Sequence, residues 1–141
     1  MTDFLDQVTN FFVTKKWRLT PGVRNIVEIL SKTNIPLAVR EIEKKLDSKE
    51  RSVDPTTVYR ILERLKKANL VHDLHGKFIR CTDPNSKHEH HFLICEKCGN
   101  AEEIFLDYRE SIAKQLAREK DFVLKEVDLS FWGTCKDCTQ K

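Results

Sequence analysis

An α+β chain in two parts is predicted, and three observations predict it. Apolar residues recur at helical spacing in four successive segments of the first half. Two short strand-like runs then flank His75-Gly76. The remainder alternates strand-like and helical runs between two Cys-x2-Cys pairs, Cys95/Cys98 and Cys135/Cys138. A chain of 141 residues, 40% hydrophobic and 33% charged, suits one ordinary or two small helix-rich globular domains.

The elements follow in order. Residues 2–16 carry Phe4, Leu5, Val8, Phe11 and Phe12 on one helical face, with Thr2 or Asp3 as N-cap. A second helix opens at Thr20-Pro21, a cap followed by proline at the first helical position, and turns Val23, Ile26, Val27 and Leu30 inward. "PLAVREIEKKLDSK" gives a third helix with Leu37, Val39, Ile42 and Leu46 inward. "DPTTVYRILERLKKANL" gives a fourth, capped by Asp54, with Val58, Ile61, Leu62 and Leu65 as its core face. "LVHDLHGKFIRC" then reads as a hairpin about His75-Gly76. Three helices, the last of them basic, followed by a hairpin make a winged helix-turn-helix over residues 1–81. The polar stretch 82–87, "TDPNSK", is the expected hinge. Residues 88–141 form the second domain: a strand near 91–95, a knuckle, a strand near 101–106, a helix near 107–120 and a strand over 122–133.

Charge divides along the same boundary. Residues 1–81 hold 16 Lys+Arg against 10 Asp+Glu (+6), and residues 82–141 hold 9 against 12 (−3). A basic front half favours a polyanionic partner. No apolar run is long enough to cross a bilayer, and the acidic N-terminus lacks the pattern of an export signal, so a cytoplasmic protein without a membrane partner is expected.

Five cysteines without an export signal point to metal rather than disulfides. The two Cys-x2-Cys knuckles, 36 residues apart, supply the four thiolates of one tetrahedral structural Zn²⁺. Gly99 eases the first turn. The small second domain has little core of its own, so the ion carries much of its folding energy. Four thiolates leave no open position for catalysis. A zinc deaminase would also need a proline before its knuckle, where Ile94 and Thr134 stand, so no enzyme and no small-molecule substrate is expected.

All five histidines lie between His72 and His91. Hairpin pairing brings His72 near Cys81, and His88 and His90, two apart on an extended chain, face one side. One thiolate and two or three imidazoles suit a second Zn²⁺, with Glu103 as an alternative oxygen ligand. Donors from both sides of a hinge make a regulatory site, because binding fixes one arrangement of two domains. His75 is expected to face water, and His91 falls out of phase. In the fourth helix, Thr56, Thr57, Tyr59 and Arg60 occupy the turns that enter the major groove of double-stranded DNA. Lys15, Lys16, Arg18 and Lys77 could add backbone contacts.

The chain resembles the ferric uptake regulator superfamily over nearly its whole length. "LTPGVRNIVEIL", "DPTTVYRILERL", "HEHHFLICEKCGNAEEI" and "CKDC" stand in that family's order and spacing. The resemblance implies a homodimeric, metal-dependent transcription factor, usually a repressor, that binds palindromic operators through its winged helix. It implies a C-terminal α/β dimerisation domain, and Tyr59 and Arg60 match the family's DNA-contacting pair. The family's iron and peroxide sensors use a histidine near the start of the third helix, where Ile35 stands here. Its zinc sensors use a set that Cys81, His72, His88 and His90 match, with the glutamate equivalent to Glu103 completing the site in some. A zinc-responsive repressor of metal-uptake genes is therefore expected, with an iron- or peroxide-responsive regulator as the alternative. Two positions depart from the family. Val23 replaces a usual arginine, with Arg24 next, and Val127 replaces the histidine of an additional metal site in some members.

Overall fold

The computed structural model describes residues 3–48, 53–82, 90–127 and 129–140. Met1–Pro84 and Asn85–Lys141 form two compact units. His88 and residues 83–87 of the expected hinge lie outside the described residues.

The first unit contains helices α1 (Phe4–Thr14), α2 (Pro21–Ser31), α3 (Val39–Ser48) and α4 (Pro55–Lys67). With them are strands β1 (Leu37–Ala38), β2 (Val71–Leu74) and β3 (Lys77–Arg80). Each helix buries the stripe its periodicity marks: Phe4, Val8 and Phe12; Val23, Ile26, Val27 and Leu30; Ile42 and Leu46; Val58, Leu62 and Leu65. The Thr20 hydroxyl caps α2 by accepting from the Val23 N–H at 3.2 Å. Asp3 and Asp54 stand at the N-caps of α1 and α4 without a side-chain capping bond.

The three strands run β1-β3-β2, all antiparallel. His75 (φ 54°) and Gly76 (φ 88°) both take positive φ between β2 and β3, the two-residue turn whose twist suits a hairpin. The third helix starts later than its pattern suggests. Pro36 has no N–H and holds the chain extended, so Leu37 and Ala38 pair with Phe78 and Lys77 instead. The Glu41 carboxylate then accepts from the Ala38 N–H at 3.1 Å, closing the first turn of α3.

Arg80 ties the hairpin to α2. Its guanidinium donates to the Leu30 carbonyl at 3.1 Å, the Thr33 carbonyl at 2.5 Å and the Asn34 Oδ1 at 2.8 Å. A cation at a helix C-terminus, satisfying carbonyls that have no helical partner, is favoured twice over. Arg80→Ala should therefore lower the stability of this unit by about 1.5–3 kcal/mol. Urea titration followed by Trp17 fluorescence in a Trp132→Phe background checks this, because each unit holds one tryptophan.

The second unit contains β4 (His91–Cys95), β5 (Ala101–Ile104), α5 (Arg109–Lys120), β6 (Ser130–Gly133) and α6 (Lys136–Thr139). Its sheet runs β5-β4-β6, with β5 antiparallel and β6 parallel to β4. The expected strand over 122–133 is present only as β6. Its ladder begins where the Phe92 N–H donates to the Leu129 carbonyl, and no strand among the described residues runs beside 122–127. An alternating pattern marks a face, and a strand needs a partner as well. Phe122 and Val123 consequently stay exposed, and so do Leu93, Phe105, Leu106, Phe131 and Trp132. The second strand likewise ends at Ile104 rather than 106.

Candidate metal centres and nucleic-acid interface

The four knuckle cysteines converge because β6 is parallel to β4. Cys95 ends β4 opposite Gly133, the last residue of β6, so both strands finish at the same edge. The Glu96 N–H donates to the Gly133 carbonyl at 2.8 Å, and two residues later the chain reaches Cys135. Gly99 takes φ 80°, and its N–H reaches back to the Cys95 carbonyl at 2.9 Å, turning Cys98 towards Cys95. The short helix α6 returns Cys138 beside Cys135.

All four sulfurs lie within 4.8 Å of one another, with Cys98 Sγ and Cys135 Sγ 3.8 Å apart. A tetrahedron with Zn–S bonds of about 2.3 Å has edges of about 3.8 Å, so the donor set fits this ion. All five cysteines are described, and none is disulfide-bonded. Backbone N–H groups of Cys98 and Cys135 bond the Cys95 sulfur and lower its pKa to about 6. The Cys138 thiol is pushed up to about 12, first because it donates to the Cys135 sulfur and next by burial. The sulfurs cannot readily ionise together on their own, and a divalent cation supplies the missing charge.

The remaining candidate ligands form two pairs, one in each unit. In the first, His72 lies opposite Ile79 in the β2–β3 ladder. Cys81, two residues past Ile79, shares that face, and its N–H donates to the Leu70 carbonyl at 2.9 Å. A His72 ring nitrogen and the Cys81 sulfur lie within 4.8 Å, and Cys81 is 1% exposed. In the second unit, Glu103 lies opposite Phe92, and His90 is two residues before Phe92 on the same face. His90 Nδ1 meets Glu103 Oε1 there, with both side chains largely buried. Each pair is a diagonal neighbour across an antiparallel ladder.

The other two histidines stand apart. His75 is exposed at its turn. His91 points to the opposite face of β4, buried, with Nε2 3.0 Å from the Tyr108 hydroxyl. Burial raises the Tyr108 pKa.

On α4, Thr56, Thr57, Tyr59 and Arg60 are exposed, and Tyr59 keeps 53% of its surface open. Val58, Leu62 and Leu65 hold the opposite face in the core, so these four side chains project from the first turns. Lys15, Lys16, Arg18 and Lys77 are exposed as well. Val23 is buried, so that position presents no side chain to a ligand, whereas Arg24 beside it is exposed. Sequence reasoning missed Arg64, whose guanidinium lies 4.9 Å from the Trp17 ring centroid. Its spacing of four from Arg60 was the available signal.

A winged helix with an exposed polar recognition face, coupled in one chain to a four-thiolate metal centre, defines a metal-dependent DNA-binding protein. The profile of the Ferric uptake regulator family matches residues 14–132, and the chain belongs to that family. It is thus a metal-responsive DNA-binding regulator by class, and members of the family are transcription regulators rather than enzymes. The "Ferric uptake regulation protein" of Bacillus subtilis (strain 168) is 27% identical, over 100% of this chain and 98% of that one. The solved structure of holo XcZur is 30% identical with a TM-score of 0.76, covering 98% of both chains. A zinc uptake regulator complexed with zinc and DNA shares the fold, with a TM-score of 0.85 at 24% identity over 99% and 97% of the chains.

Proposed function

We propose that this chain is a zinc-sensing transcriptional repressor of metal-uptake genes, acting in the cytoplasm as a homodimer on a double-stranded DNA operator. The observation that carries the reading is the buried Cys81 thiol beside His72 on the wing. A thiolate in the sensing set selects Zn²⁺ over the harder Fe²⁺. His72, Cys81, His88 and His90, with Glu103 as the alternative fourth ligand, hold one regulatory Zn²⁺; Cys95, Cys98, Cys135 and Cys138 hold one structural Zn²⁺. When bound, the regulatory ion supplies the bonds that tie donors before residues 82–87 to donors after them. The winged helix over 1–81 and the second domain over 88–141 are then fixed in one arrangement that matches operator half-sites. Similarity to the zinc uptake regulators supports the choice of metal.

Thr56, Thr57, Tyr59 and Arg60 read the major groove, and Lys15, Arg18 and Lys77 contact the backbone. The second unit is the dimerisation domain. Its exposed Leu93, Phe122, Val123, Phe131 and Trp132 form more apolar surface than an isolated small unit keeps in water. Sedimentation equilibrium should give twice the 16.6 kDa chain mass. A monomer at micromolar concentration would contradict that assignment.

The metal is tested by competition. Fluorescence anisotropy on a duplex selected from a random pool should show half-maximal binding at far lower free Zn²⁺ than free Fe²⁺ or Mn²⁺. Stronger activation by Fe²⁺ would select the iron-responsive reading, which the 27% identity to a ferric uptake regulation protein favours.

A further inference from the structure

Beside α4 lies a second surface, further along the helix than the turns assigned to base reading. Lys16 takes φ 58° after α1, and the Trp17 N–H returns to the Phe12 carbonyl at 2.8 Å. The Trp17 ring is wedged edge-on against Phe11 and Phe12, with centroids 5.6 and 5.5 Å away. Its open face carries the Arg64 guanidinium. Trp17, Tyr59, Arg60, Glu63, Arg64 and Lys67 line a groove of about 360 Å³. Arg60, Arg64 and Lys67 follow one another at spacings of four and three, a single cationic stripe about 10 Å long.

We propose that Arg64 binds a phosphate of the DNA backbone and that Trp17 is the positioning residue that holds its guanidinium for that contact. The inference rests on the DNA-binding reading above and extends it to a part of α4 that the reading leaves unused. A recognition helix enters the groove by its N-terminal turns, so its third turn lies where the backbone passes rather than where bases are exposed. A guanidinium stacked flat on an indole keeps its N–H edges outward, in the fork that suits phosphate oxygens. Stacking also removes rotamer freedom before binding, so less is lost on contact. Glu63, the one acid among the groove-lining residues, opposes a phosphate there.

The test uses the full chain loaded with zinc, a duplex selected by it from a random pool, and a scrambled duplex of equal length. Anisotropy titrations run from 50 to 200 mM KCl. Arg64→Ala should weaken binding to both duplexes by a similar factor of about five to ten. It should also flatten the slope of log affinity against log salt by about 0.9, the signature of one lost phosphate contact. Trp17→Leu should move the slope the same way by a smaller amount, with Trp17→Phe restoring most of it. Combined with Arg64→Ala, Trp17→Leu should add little, because the interaction it supports is already gone. Glu63→Gln should tighten both duplexes. Circular dichroism of each variant checks that the fold is kept. An unchanged salt slope in Arg64→Ala, or a Trp17→Leu loss that adds in full to it, overturns the proposal while leaving the DNA-binding reading intact. Wild-type protein that binds neither duplex sinks both.

Discussion

Cys95→Ser should unfold the second unit. Little else holds that unit together: its buried side chains among the described residues are Phe92, Ala101, His91 and the cysteines Cys95 and Cys138, and α5 buries none. A unit of under 60 residues with so small a core falls below what hydrophobic burial sustains alone. A structural zinc site commonly contributes about 10–16 kcal/mol of apparent binding energy at neutral pH, more than the net stability of most domains. Removing one of four thiolates leaves a distorted three-sulfur set and a hydroxyl too weak to replace the fourth. Cys95 is also the sulfur that the Cys135 N–H caps at 3.3 Å, so its loss loosens the junction between the knuckles. The expected outcome is loss of the tightly held zinc, exposure of Trp132 to solvent and failure to dimerise. Near-ultraviolet circular dichroism, zinc content and sedimentation read all three. A stable dimer without this metal would contradict the clamp.

Cys81→Ser should have the opposite profile. The serine hydroxyl is nearly isosteric, and Cys81 keeps its backbone bond to Leu70, so the first unit should stay folded. A neutral hydroxyl is a poor zinc donor, however, and it removes the charge and softness that favour this ion. Zinc-dependent DNA binding should fall by at least about a hundredfold, the upper end of the loss for disturbing even an outer-shell partner. Dimerisation should be unchanged. Operator binding by Cys81→Ser that follows the wild-type zinc titration would remove Cys81 from the sensing set. Glu103→Gln settles a finer point. If Glu103 is a ligand rather than a partner that orients His90, this variant should weaken zinc response about as much as His90→Ala does.

The sequence carried some of this architecture more legibly than the rest. The helices of the first unit are legible because each has a wide apolar stripe, and the structure buries those stripes. Strand β1 is not legible, since two residues carry no period and their state depends on β3, some 40 positions later. The pattern over 122–133 was readable as a face, yet only 130–133 pair, because a single chain offers the rest no strand to join. The knuckle spacing announces four converging sulfurs directly. The pairing of His72 with Cys81 follows from hairpin register, which the His75-Gly76 turn fixes. Glu103 beside His90 required the β4–β5 register, and that depends on how the knuckle closes. Arg80 at the end of α2 and Arg64 on Trp17 join residues 46–50 apart through rotamers, which no linear spacing encodes.

The central claim is that two chemically distinct zinc centres share one chain, one needed for folding and one for response. Zinc content per chain, measured side by side for wild type and Cys81→Ser after dialysis against a weak chelator, tests it most directly. Two ions in the wild type and one in the variant, with the variant still dimeric, is the predicted result. Equal content in both proteins would contradict it.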